Sequence, residues 1–177
     1  EVNEEEEEKE KISFFNPECE IRLTDARKID KSLNIGDTIV LLSAWMIGGV
    51  YGALAAGIGS ALSDFISSYG SYVPGTFVIK FLMALVAYLV FVTIKKANTK
   101  DSKGMNVVAY IVSGVVAEVI MVLGYFLYES TLLGYGLGAV PSIGSNSIQG
   151  VTCLVLGFIA IFALEEAKVT KLVKKFV

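Results

Sequence analysis

Apolar and polar residues occupy long separate blocks along this chain. Residues 1–35 are polar and open on an acidic run. From Asp37 the sequence turns apolar and stays so to Ile66, where a polar turn, SSYGSYVPG, interrupts it. A second apolar stretch runs from Thr76 to Ile94, broken only by Lys80 and closed by Lys95 and Lys96. A third, Asn106 to Glu129, is broken only by Glu118, and a glycine-rich segment with Pro141 leads to the last, about Asn146 to Leu164. A basic tail, KVTKLVKKFV, closes the chain. Apolar runs of about 20 residues match the roughly 30 Å hydrocarbon core of a bilayer when helical. No period-two alternation recurs over several segments, which disfavours a membrane β-barrel. The pattern predicts an all-α, polytopic membrane helical bundle over residues 36–177, preceded by a polar, acidic segment over residues 1–35.

The first apolar run is too long for one upright span, since thirty helical residues reach about 45 Å. Either the helix is long and tilted, or it breaks near Gly48 and Gly49 into two. Which of these holds also decides on which side the N-terminal segment lies. The stretch GGVYGALAAGIGSALSD within this run, read as a helix, sets Gly48, Gly52, Ala56 and Ser60 in one row and Gly49, Ala53, Gly57 and Ala61 in the next. Each glycine costs about 1 kcal/mol against alanine in a water-exposed helix. In lipid, small-residue rows instead allow close helix contact. The rows are therefore expected to pack against other helices of the bundle or against another subunit.

Composition agrees with a membrane body. Of 177 residues 54% are hydrophobic and 19% charged, and the mean hydropathy of +0.62 is too high for a soluble domain of this length. The net charge of -3 averages over polar ends and gives no hint of nucleic-acid binding. Cys19 lies in the polar segment and Cys153 in an apolar span, which is no basis for a disulfide, a metal site or a redox motif. Histidine is absent, removing the commonest general base and metal ligand. No cofactor is expected and an enzyme is disfavoured. The acidic start reads as a solvated, disordered tail. Because the chain begins with Glu1, an upstream segment processed away or left out remains open.

Lysines orient the bundle. Lys95, Lys96, Lys100 and Lys103 share one loop and Lys168, Lys171, Lys174 and Lys175 share the C-terminal tail, whereas residues 67–75 and 130–145 hold no lysine or arginine. By the positive-inside rule the first two regions, with the C-terminus, are cytoplasmic and the last two external. Location in the cell membrane with several passes follows.

Glu118 is the least expected residue, because an ionised acid at mid-helix costs on the order of 3 kcal/mol in lipid. At about 100° per residue, Tyr125 and Glu129 fall on nearly the same face, and Gly114 is expected to leave space beside them. Asp37, Lys80, Asn146 and Gln149 lie towards the same external end, with Thr76 on the Lys80 face, and all are expected to converge on an outward-facing cavity. Structural alternatives stand beside that reading. Lys80 has the option of snorkelling to the interface or pairing with Asp64. Asp37 and Asn146 suit helix caps, Tyr125 suits an interfacial belt with Tyr128 and Tyr135, and Glu118 suits a structural ion pair.

The blocks GDTIVLLSAWMIGGVYGALAAGIGSALSD, VPGTFVIKFLMALVAYLVF, AEVIMVLGYFLYES and VPSIGSNSIQG, in this order from about Leu33 to Ala163, resemble the S components of energy-coupling factor (ECF) vitamin transporters, riboflavin-type branch. The resemblance implies a six-helix protein that captures a vitamin or its precursor, a riboflavin-like or other small heterocycle, from outside. It further implies delivery inward with an energising module of a transmembrane coupling subunit and two ATP-binding subunits. In such proteins the first loop and the outer ends of the later helices form the cavity. The family's first helix, whose small-residue motif faces the coupling subunit, is not visible here, and a charged tail stands in its place. Gly48 to Ala61 are then expected to supply the close-packing surface, Asp37 to Ile47 and Val50 to Ile66 to form two short helices, and the tail to be external.

The chain contains no GxxxxGK[ST] phosphate-binding loop, so ATP-driven transport would need separate ATPase partners. Two other readings remain at this point, a proton-coupled carrier using Glu118 and a non-transporting membrane scaffold that oligomerises through the glycine rows.

Overall fold

The computed structural model describes residues 35–98 and 102–173, the Lys171 side chain excepted. The expectations for the acidic segment, Cys19, Lys100, Lys174 and Lys175 lie outside the described residues. Five substantial helices follow in order: α1 Gly36–Met46, α2 Gly49–Ile66, α3 Val73–Ala97, α4 Lys103–Leu127 and α5 Val140–Glu166. A π turn, Tyr128–Leu132, and a 3-10 turn, Gly136–Ala139, join α4 to α5, and a short α6, Val169–Val173, follows. No strand occurs among the described residues. The protein is a helical membrane bundle, with four segments long and apolar enough to cross a bilayer: Gly49–Ile66, Val73–Ala97, Lys103–Leu132 and Gly136–Glu166.

The first apolar run is two helices. Gly48 and Gly49 have φ of 72° and 56°, a left-handed backbone that glycine adopts without a side-chain clash. The end of α1 is closed by the Ile47 and Gly48 N–H groups, which both donate to the Ser43 carbonyl at 3.1 and 2.9 Å. Helix α1, at 11 residues, is about 16 Å long and covers roughly half a hydrocarbon thickness. It is wrapped by the longer helices, and Val40, Leu41, Ala44 and Trp45 are buried against them.

The small-residue rows hold this chain's own helices together. Gly48, Gly52, Ala53, Ala56 and Gly57 are buried, and Gly49, Ser60 and Ala61 are half-buried. A Cβ at Gly52 would lie 2.6 Å from the Ser43 carbonyl oxygen, and one at Gly57 would lie 3.0 Å from that of Phe77. Backbone of α1 thus approaches α2 at Gly52 more closely than a Cβ permits, and that of α3 at Gly57 leaves room for one only if the neighbour shifts by a few tenths of an ångström. The opposite face of α2, with Tyr51, Ile58 and Phe65, is exposed.

Helix α5 begins at Val140, a turn and a half before the expected start at Asn146. Pro141 falls in its first turn, where a missing N–H costs nothing, and the serines that follow bond back within the helix: Ser142 Oγ donates to the Ala139 carbonyl at 2.8 Å and Ser147 Oγ to that of Ile143 at 2.6 Å. The polar run SIGSNS is therefore helical. On the lysine-rich side the core is aromatic. Trp45 and Tyr110 meet edge to face with centroids 5.1 Å apart, and Trp45 Nε1 donates to Ser113 Oγ at 3.0 Å.

Candidate functional site

The polar residues of the spans gather at the other side of the bundle, where the half-length helix α1 starts. Asp37, in the first turn of α1, is 1% exposed. Lys80 Nζ of α3 pairs with its Oδ1, and Gln149 Nε2 of α5 donates to its Oδ2 at 2.6 Å. Three helices are thereby joined on one carboxylate. A buried charge needs such partners, because desolvation costs several kcal/mol per ion. Lys80, 4% exposed, also stands 5.2 Å from the centre of the Tyr125 ring, within cation–π range.

A second chain of hydrogen bonds runs alongside. Thr76 Oγ1 donates to the Asp64 carboxylate, and with its only proton so placed it accepts from the Tyr125 hydroxyl at 3.0 Å. Further out, the Tyr72 hydroxyl donates to Glu129 Oε1 at 3.3 Å. Burial first, and then the Glu129 charge, hold the Tyr72 phenol above its usual range. Glu118, Tyr125 and Glu129 are all buried on one face of α4 and its extension, as the helical spacing predicts.

Glu118 differs from the rest of the cluster. It is 7% exposed, and neither carboxylate oxygen has a hydrogen-bond partner among the described residues. Gly150 of α5 lies directly against it, where a Cβ would come within 2.9 Å of Oε2. The carboxylate lines a groove of ≈ 290 Å³ between α4 and α5, whose walls include Val115, Val122, Ser147 and Leu154.

Several sequence expectations change at this level. Lys80 is buried and pairs with Asp37, so it neither snorkels nor pairs with Asp64. Asp37 makes no cap bond: α1 begins after Ile35 with no side-chain cap, and the carboxylate is occupied by Lys80 and Gln149. Asn146 lies inside α5 and is no cap; it is half-buried, and no hydrogen bond joins it to the Asp37 network. Tyr125 is interior. The space beside Gly114 is filled by the Leu154 side chain, and the glycine beside Glu118 is Gly150. Asp37, Lys80 and Gln149 satisfy one another, whereas Glu118 lines the groove. Asp64, Ser147 and Gly150 were not singled out for this cluster. The one available signal for Gly150 was its place directly after Gln149, at the end of the polar stretch SNSIQ in α5.

The family model described as ECF-type riboflavin transporter, S component, matches residues 19–166, well over half of the chain. The chain belongs to that family. As an S component it is a membrane-embedded substrate-binding subunit for vitamin uptake, and its family works with a separate energising module. A protein of Pyrococcus woesei described as "Uncharacterized protein in gap 3'region" is 33% identical over 126 residues, covering 71% of this chain and 76% of the relative. No solved structure matches the chain at comparable stringency.

Proposed function

We propose that this S component binds riboflavin or a closely related small heterocycle at the cluster of Asp37, Lys80, Glu118, Tyr125, Asn146 and Gln149. The observation that carries the reading is Glu118, a carboxylate deep in a span with no hydrogen-bond partner for either oxygen among the described residues. Such a group costs on the order of 3 kcal/mol in lipid, and a ligand that donates to it recovers that cost. Around it, the Asp37–Lys80–Gln149 junction fixes the ends of α1, α3 and α5, so a ligand meets side chains already held in place.

Family membership supports the remaining assignments. The energising module is a transmembrane coupling subunit with two ATP-binding subunits, and this chain acts as the non-enzymatic capture subunit in the cell membrane. The polar segment of residues 1–35 precedes a membrane domain of residues 36–177. The charge rule places the C-terminus in the cytoplasm, with the Asp37 cluster towards the outside.

Equilibrium titration of riboflavin, thiamine and biotin into the purified protein tests the ligand, with proteoliposome uptake as the second measurement. Saturable riboflavin binding that Glu118→Gln weakens by about 1.5–3 kcal/mol is expected, together with uptake that requires the ATPase module and ATP. Uptake by this chain alone that collapses with the proton gradient would establish the carrier reading instead. Binding unaffected by Glu118→Gln would remove the site.

A further inference from the structure

The basic segment KVTKLVKKFV follows directly on the last apolar span, Gly136–Glu166. Where that span ends, the Ala167 N–H donates to the Ala163 carbonyl and the Lys168 N–H to that of Glu165, both at 3.0 Å, and Lys168 takes a φ of 59°. A left-handed residue at this place ends a helix and turns the chain off its axis. Helix α6, Val169–Val173, therefore does not prolong α5 straight out of the membrane. Its Leu172 is 59% exposed, so the bundle leaves the apolar side of α6 partly open.

The helical spacing of α6, carried through position 177, sorts the segment into two sides. At about 100° per residue, Val169, Leu172, Val173 and Phe176 fall within roughly a third of the circumference, and Lys171, Lys174 and Lys175 within roughly a third opposite them. No acid follows Glu166. More positive charge gathers on the same side of the bundle. The Tyr110 hydroxyl donates to Glu165 Oε1 at 2.6 Å and Lys95 Nζ to Asn106 Oδ1 at 3.1 Å, which brings the end of α3, the start of α4 and the end of α5 together. Lys96, Lys103 and Lys168 are exposed there, and no ion pair among the described residues joins any of them to an acid. A basic segment with one apolar side, placed where a span leaves the hydrocarbon, is complementary to a surface that is apolar beneath and anionic above.

We infer that residues 168–177 lie along the bilayer surface on the lysine-rich side, with Val169, Leu172, Val173 and Phe176 in the lipid and the lysines on anionic phospholipid headgroups. This contact does not depend on which ligand the Asp37 cluster takes. A segment this short binds a membrane weakly by itself, but α5 already holds it at the surface, so its docking is an intramolecular event. Each lysine near an anionic surface multiplies the preference for it about fivefold.

The test uses the full chain in lipid nanodiscs, with Cys19→Ser, Cys153→Ala and Leu172→Cys, and an environment-sensitive fluorophore on the thiol at position 172. Acrylamide, a neutral aqueous quencher, reads its exposure in discs of phosphatidylcholine and in discs of equal parts phosphatidylcholine and phosphatidylglycerol. Quenching is expected to be about threefold or more weaker in the mixed discs, and to return to the phosphatidylcholine level at about 1 M salt, where the Debye length is about 3 Å. Changing Lys168, Lys171, Lys174 and Lys175 together to Gln should abolish the protection, and changing them to Arg should keep it, with Trp45 fluorescence and the thermal midpoint of the bundle native in both. Equal quenching in the two kinds of disc, or protection that survives the four Lys→Gln changes, overturns the inference. Protection that appears only once the coupling and ATP-binding subunits are added overturns it as well, and assigns the segment to a protein partner.

Discussion

Lys80→Met is the sharpest probe of the junction that holds α1, α3 and α5 together. Methionine keeps an unbranched apolar stem of similar length and removes only the ammonium group. Asp37, 1% exposed, then retains Gln149 on Oδ2 but loses the cation on Oδ1, and a carboxylate stays buried with half its partners. Removing one member of a buried ion pair costs about 3–5 kcal/mol. For a chain of this size that lowers the thermal midpoint by about 10 °C. Asp37→Asn alone strands the ammonium group and should cost a comparable amount. The double variant, Asp37→Asn with Lys80→Met, removes both charges and leaves an amide still able to accept from Gln149. Its cost should be about 2 kcal/mol, an unmet donor at most. The cycle then shows a coupling of about 3 kcal/mol or more, well above the roughly 0.5 kcal/mol within which independent sites add. Denaturant titration in mixed micelles reads it, with fluorescence from Trp45, the single tryptophan and itself on α1. Additive single costs, or a Lys80→Met cost below about 1 kcal/mol, would show that Lys80 is solvated and that the junction does not hold in the native protein.

Two further outcomes test the packing and the orientation. Gly52→Ala, whose Cβ would stand 2.6 Å from the Ser43 carbonyl oxygen, should destabilise by about 1–3 kcal/mol by forcing α1 from α2, whereas Gly59→Ala, with nothing within 4 Å, should stabilise by up to about 1 kcal/mol; equal effects in thermal unfolding would refute the close α1–α2 contact. In a chain with Cys19→Ser and Cys153→Ala, a cysteine at position 71 should react with an impermeant thiol reagent in intact cells and one at position 168 only after permeabilisation, and the reverse pattern would invert the orientation.

Much of the architecture was legible before any coordinates. A bilayer offers no hydrogen bonds to an open backbone, so long apolar blocks bounded by polar turns have few solutions other than helices. The three downstream spans were visible for that reason, although their ends moved: Asn146 lies inside α5 because the serines around it bond within the helix, and the span expected over Asn106 to Glu129 runs from Lys103 to Leu132, its last turn a π turn. The stripe of Glu118, Tyr125 and Glu129 was also legible, since residues seven and eleven apart share a face whatever packs against it. The small-residue rows announced close approach without saying which neighbour would approach.

Sequence by itself determined the class of the protein: a polytopic helical membrane bundle, carrying acids, an amide and a lysine where lipid makes them costly, with a resemblance to vitamin-binding S components that the family match bears out. These properties follow from local composition and helical periodicity, which need no knowledge of neighbours. Tertiary structure alone decided who meets whom. Lys80 had two acids open to it, and Asp64, close in sequence, was the one named; the chain path instead brings up Asp37, 43 residues away, while Asp64 takes Thr76. The break at Gly48 turned the first apolar run back on itself and aimed its small rows inward. Leu154 filled the space beside Gly114, and Gly150 rather than Gly114 kept a Glu118 oxygen clear. Partner choice in a bundle depends on the rotation and depth of each helix against the others, and those are set by the sum of all contacts rather than by any one segment.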